Sequence, residues 1–128
     1  MIFNETDSLN YHGQEVKFYT PTKKTAGRVK KIFRKEPITI TWMDNMKQGD
    51  TVIDIGANVG MYSLMSAVSR KANVYAFEPE ASNYNLLCQN IRLNNVQHKV
   101  TAYCAGNLDY DGFSVLNIAQ NRDVGPGG

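Results

Sequence analysis

"TVIDIGANVGMYSLMSAV", residues 51–68, is the stretch whose reading decides the fold. Thr51 to Ile55 form a short β-branched, apolar run, which reads as a buried strand. From Met61 onward the apolar residues Met61, Leu64, Met65 and Val68 fall at i, i+3, i+4 and i+7, which predicts a helix over 60–70. Between strand and helix lies Gly56-Ala57-Asn58-Val59-Gly60, with Asp54 just before it. Glycine permits positive φ and removes a Cβ from a place that a ligand must approach. The helix that follows offers unpaired N–H groups at its start.

The alternation continues downstream. "NVYAF" (73–77) is a second apolar strand, and Ser82 is read as the N-cap of a helix running to about Leu93. That helix is expected to turn Tyr84, Leu87, Cys88 and Ile91 inward. "KVTAYC" (99–104) is a third strand. Strand, helix, strand, helix, strand implies right-handed crossovers and a parallel sheet, hence the α/β class. Strands this apolar are expected to be covered on both faces. Beyond them, "FSVLNI" (113–118) reads as a strand pairing back as a hairpin, and "AQNRDVGPGG" (119–128) as a disordered tail.

Upstream, "KTAGRVKKIFRK" (24–35) places Ala26, Val29, Ile32 and Phe33 on one face of an amphipathic helix. Glu36-Pro37 ends it, and Pro37 opens a second helix. There Ile38, Trp42 and Met46 share a stripe, with Trp42 as a core anchor, although the β-branched "ITIT" also fits a strand. Residues 1–20 are strand or loop. The expected organisation is an N-terminal extension (1–23), a helical lead-in (24–48), a Rossmann-like cofactor-binding domain (49–118) and the tail (119–128).

Composition narrows the class. At 128 residues, 42% hydrophobic and 20% charged, the chain fits one ordinary globular domain. No apolar run approaches the ~20 residues that span a bilayer. The first residues lack the layout of a signal peptide, so a cytoplasmic location and no membrane partner are expected. Cys88 and Cys104 form no CxxC pair, and His12 and His98 are far apart, so nothing has metal-ligand spacing. Net charge is +2, but residues 1–35 hold eight Lys and Arg against three acids. In the basic helix 24–35 the one aromatic residue, Phe33, belongs to the apolar face, so no aromatic stacking residue is interleaved with the cations. The basic helix therefore fits a solvated face better than a nucleic-acid track, and a nucleic-acid partner is not expected.

In an open α/β sheet, ligands bind above the carboxyl ends of the strands. Glu78 closes the second strand, and an acid there faces the ribose of an adenosine. The turn lacks the Gly-x-Gly-x-x-Gly that a dinucleotide pyrophosphate needs. An acid ending the first strand suits instead a ligand with a cationic group beside the ribose. S-adenosylmethionine has a sulfonium and an ammonium, and no phosphate.

"VIDIGANVGMYSLMSA" (52–67) and "VYAFEPEASNYNLLCQNIRLNN" (74–95), led in by "RVKKIFRKEPITITW" (28–42), resemble the FkbM-type S-adenosylmethionine-dependent methyltransferases. The resemblance implies a Rossmann-like class I methyltransferase sheet. Here it is incomplete: three parallel strands plus a hairpin strand, with N-terminal helices. Asp54, Gly56, Ala57, Asn58 and Gly60 would bound the methionine part of the cofactor. Glu78, with Pro79 beside it, would hold the ribose, and Ala105, Gly106 and Asn107 would lie near the adenine. Implied too is O-methyl transfer to a small hydroxylated metabolite or sugar, with no catalytic base identified. A class I sheet normally continues past its third strand. The chain therefore reads as a fragment, the cofactor-binding half, able to bind cofactor but not to complete catalysis. Its bare first-strand edge invites homo-oligomerisation. The rival readings are a nicotinamide-dependent oxidoreductase domain, disfavoured by the missing Gly-x-Gly, and a non-catalytic nucleotide- or nucleic-acid-binding module.

Overall fold

A computed structural model describes residues 5–106. The chain starts with an antiparallel hairpin, β1 (Thr6–Tyr11) and β2 (Gln14–Tyr19). His12 and Gly13 join them, both at positive φ (49° and 78°), the geometry whose twist matches that of the flanking strands. Leu9, Tyr11, Val16 and Phe18 alternate inward along the two strands.

Helix α1 (Lys23–Lys35) starts at the N-cap Thr22, which forms a reciprocal capping box with Thr25. Val29 and Ile32 are buried as their spacing predicts. Phe33 stays largely exposed, 5.9 Å from the Tyr11 ring centroid.

Pro37 opens α2 (Pro37–Asp44), so the helix prevails over the β-branched run. Its buried face is not the expected one. Met43 is buried, as is Met46 just beyond the helix, whereas Ile38 and Trp42 are 85% and 57% exposed. Contacts at the end of α2 set this rotation. Asp44 Oδ1 accepts from the Tyr11 hydroxyl (2.6 Å) and lies 2.8 Å from His12 Nε2. Arg70 Nη2 donates to the carbonyls of Asp44 (3.1 Å) and Met46 (2.8 Å). Trp42 is therefore not a core anchor.

The remaining elements are β3 (Thr51–Ile55), α3 (Met61–Arg70), β4 (Asn73–Phe77), α4 (Ala81–Leu93) and β5 (Val100–Tyr103). The strands pair in the parallel order β3-β4-β5. Val52, Val74, Ala76 and Val100 are buried on the face covered by α3 and α4, and the N-terminal hairpin packs onto these two helices in turn. Among the described residues nothing covers the other face. Ile53, Ile55, Tyr75 and Tyr103 are 63%, 56%, 42% and 43% exposed there. The expected two-sided cover is thus absent from the described residues. Successive right-handed crossovers of the same sense put both helices on one side.

The N-cap of α4 is Glu80 rather than Ser82: its carboxylate accepts from the amides of Ser82 (3.0 Å) and Asn83 (2.9 Å). Leu87 and Ile91 are buried as expected, but so are Leu86 and Asn90, while Cys88 is only half-buried. The helix has neighbours on two sides, the sheet and β2. Asn90 Oδ1 accepts from Tyr19 N (2.8 Å). One turn on, Asn94 accepts from Lys17 N (2.9 Å) and donates to Lys17 O (2.8 Å). Two carboxamides thus occupy the outer hydrogen-bonding edge of β2, where another strand could otherwise pair. The expected strand 113–118, the tail 119–128 and Asn107 lie outside the described residues.

Candidate functional site

The glycine turn is built by backbone bonds that tie the tips of β3 and β4 together. Gly56 N and Ala57 N both donate to the Phe77 carbonyl, at 2.9 and 3.0 Å. Gly56, Asn58 and Gly60 all have positive φ (73°, 56° and 96°). Asn58 tolerates this because its side chain bonds locally, donating from Nδ2 to the Gly56 carbonyl at 2.8 Å. The two glycines serve different ends. A Cβ on Gly60 would stand 2.6 Å from Leu87 Cδ1 and 2.8 Å from Leu64 Cδ2, so this position lets the turn sit close on the helices. A Cβ on Gly56 would meet nothing within 4 Å.

Glu78 is 3% exposed, and both of its carboxylate oxygens take backbone amides. Oε1 accepts from Asn58 N (2.8 Å), and Oε2 from Glu80 N (2.9 Å). Its own N–H donates to Tyr103 O (3.0 Å), which brings the tip of β5 into the same group. The carboxylate turns toward the glycine loop, as a site shared by two neighbouring strand tips requires.

In front of the loop is a cavity of about 430 Å³. One wall is Asp54 with residues 55–59; the other comes from α1 and its end, with Arg28, Ile32, Lys35 and Glu36, and from Met61 and Tyr62. Burial pushes the Asp54 carboxyl upward, and the hydrogen bond from Ser63 Oγ to its Oδ2 (2.6 Å) works against that. The Tyr62 hydroxyl donates to Glu36 Oε2. Burial and that carboxylate both raise the Tyr62 pKa. Tyr62 and Ser63 thus hold two carboxylates in place by neutral donors.

Residues 29–119 match the model of the TRM5/TYW2 methyltransferase domain. The chain belongs to the TRM5/TYW2 methyltransferase domain family. A curated relative, the tRNA(Phe) (4-demethylwyosine(37)-C(7)) aminocarboxypropyltransferase of Pyrococcus horikoshii, is 36% identical over 71 residues, covering 56% of this chain and 26% of that protein. Methyltransferase sdnD of Sordaria araneosa is 35% identical over 63 residues, or 48% and 24% of the two chains. Among solved structures, Pyrococcus horikoshii TYW2 in complex with MeSAdo superposes with a TM-score of 0.56 at 26% identity, covering 84% of this chain and 38% of that one. The chain spans about a quarter of the length of the curated relatives it matches.

In this TRM5/TYW2 domain the α/β, Rossmann-like class I methyltransferase fold is present in part. Of the residues singled out by sequence, Asp54, Gly56, Ala57 and Asn58 share the cavity wall. Gly60 and Glu78 are buried and do not line the cavity. Pro79, Ala105 and Gly106 are exposed around the tips of β4 and β5, where a Cβ on Gly106 would stand 3.4 Å from Pro79 Cβ. The sequence reading missed Arg28, Lys35, Glu36, Tyr62 and Ser63. Tyr62 and Ser63 carry one legible signal, polar groups in the first turn of the helix that leaves the glycine loop. No helix among the described residues is long and apolar enough to cross a membrane.

Proposed function

We propose that this chain binds S-adenosylmethionine at the carboxyl ends of β3 and β4 and presents its sulfonium to a nucleic-acid acceptor. The observation that carries the reading is the clasp between Glu78 and Asn58, a buried carboxylate at one strand tip holding the bare loop at the next. The residues suit the cofactor. An ammonium beside Asp54 would favour the charged form that burial disfavours. Gly56 keeps the loop free of a Cβ, and about 430 Å³ lies within the range of small-ligand sites. Glu78, buried and with both carboxylate oxygens on backbone amides, would serve the ribose side by fixing the loop at Asn58. Pro79, Ala105 and Gly106, with Asn107 next in the chain, would border the adenine.

When bound, the cofactor supplies an electrophilic carbon on a cationic sulfur that leaves as a neutral thioether. The chain's own residues bind and orient, so that the reacting carbon is held toward the acceptor. Methyl transfer is the first reading, supported by membership of a methyltransferase domain family and by the sdnD relative. Aminocarboxypropyl transfer is the second, favoured by the 36% identical relative. A nucleic-acid acceptor is supported by that relative's tRNA(Phe) name. The FkbM-type placement and O-methylation of a small hydroxylated metabolite rest on the sequence resemblance alone, and no relative described above names such an acceptor.

Calorimetric titration with S-adenosylhomocysteine, NAD and ATP tests the cofactor. Only the first is expected to bind. Glu78→Gln should weaken it about tenfold or more, because a hydrogen bond to a charged group contributes roughly 1.5–3 kcal/mol. Asp54→Asn, which leaves the clasp intact, should weaken it as well. Equal response to all three ligands, or affinity indifferent to both substitutions, overturns the reading. In turnover with S-adenosylmethionine, the coproduct decides the group transferred: S-adenosylhomocysteine for methyl, methylthioadenosine for aminocarboxypropyl.

A further inference from the structure

Helix α1 contains no acidic residue, and Lys24, Arg28, Lys31 and Lys35 recur along it at intervals of four, three and four, on one face. Together with Lys23 and Gly27 these residues line a shallow groove of about 320 Å³. Arg28 and Lys35 also line the cavity in front of the glycine loop, so groove and cavity share a border. Gly27 lies at the middle of the groove. Glycine is among the least favourable residues for a helix interior, and here nothing in the fold requires it: a Cβ would meet no atom within 4 Å, and φ is not positive. What the missing side chain does leave is space along the basic groove.

We propose that this ridge is a track for the phosphate backbone of single-stranded RNA, guiding one unstacked base into the cavity beside Asp54 and Asn58. The proposal rests on the nucleic-acid reading of the acceptor and assigns it a surface. The track from Lys24 to Lys35 is about 16 Å long at the helical rise, enough for several phosphates of one strand. An anionic membrane fits less well. On the apolar side of this amphipathic helix Val29 and Ile32 are buried in the fold, which leaves Phe33 alone as a large exposed apolar side chain, too little to enter a bilayer.

The test uses the full chain and a short 5′-labelled oligouridylate, followed by fluorescence anisotropy over a series of KCl concentrations. The variants are Lys24→Gln with Lys31→Gln, and Gly27→Glu; none of these residues lines the loop cavity. Affinity should fall with salt. The double variant should flatten the logarithmic slope by about 1.4, at roughly 0.7 per phosphate contact on a single strand. Gly27→Glu should raise the thermal midpoint while weakening RNA binding, which separates loss of the track from loss of the fold. Binding of S-adenosylhomocysteine should be unchanged in all of them. No RNA binding by the native chain, an unaltered slope in the double variant, or equal retention on phosphatidylserine vesicles overturns the track. Failure to bind S-adenosylhomocysteine strikes only the cofactor reading, because the salt slope is measured without it.

Discussion

Gly56 and Gly60 look alike in the sequence and are not interchangeable in the fold. Gly60→Ala combines a left-handed backbone with a Cβ 2.6 Å from Leu87. It should cost about 2–4 kcal/mol in urea denaturation, the sum of backbone strain and overpacking. Gly56→Ala meets no neighbour and should cost only about 1–2 kcal/mol, yet it should weaken S-adenosylhomocysteine more than Gly60→Ala does in the molecules that remain folded. Asp54 gives a pH signature. Its raised pKa means that, just above the ordinary value of 3.8, the folded chain keeps a proton that the unfolded chain has released. Stability should therefore fall as pH rises through that window, and Asp54→Asn should remove this part of the slope. Asp54, Gly56, Asn58 and Glu78 were legible because they lie at the ends of strands whose pattern is plain. Arg28 and Glu36 were not, because they reach the cavity from a helix that precedes the strand and no periodicity reports that approach.

At the scale of elements, helices and parallel strands followed from periodicity, but the faces that helices bury did not. The spacing of Ile38, Trp42 and Met46 identified a real helix, α2, and the wrong side of it. Its orientation is fixed from outside, by Tyr11, His12 and Arg70 at its C-terminal end. The α4 pattern was read as a single buried stripe, whereas the hairpin covers a second one that includes a polar residue, Asn90. Asn90→Ala should be among the costly polar substitutions. It strands the Tyr19 amide and the Val59 carbonyl, to which Asn90 Nδ2 donates at 2.8 Å. A loss of about 2–4 kcal/mol is expected from one buried and one half-buried group that lose this partner. Asn94→Ala, whose partner Lys17 is exposed and can turn to water, should cost about 1 kcal/mol. Chemical denaturation of both variants checks the ranking, and equal losses would show that the β2 edge is not held as described.

At the scale of the molecule, one side of the sheet carries Ile53, Ile55, Tyr75 and Tyr103 in the open, with the Phe77 and Tyr103 rings stacked at 5.0 Å. An apolar face of this kind promotes association, and the outer edge of β3 has no strand partner among the described residues. Sedimentation of the 128-residue chain should show concentration-dependent self-association. Ile53→Lys with Tyr75→Lys should abolish it while preserving cofactor binding; a monomer at every concentration would remove this expectation. The sequence pattern showed the strands to be apolar, but strand apolarity alone does not say whether both sides are covered.

Asn90 joins distant parts of the chain through one rigid plane: its oxygen holds the Tyr19 amide while its nitrogen holds the carbonyl of Val59, inside the glycine turn. A carboxamide cannot swing one end without the other. Removing residues 5–19 would therefore let the Asn90 plane rotate and slacken a loop forty positions further along. Deuterium should then enter the amides of Asn58 and Gly60 sooner.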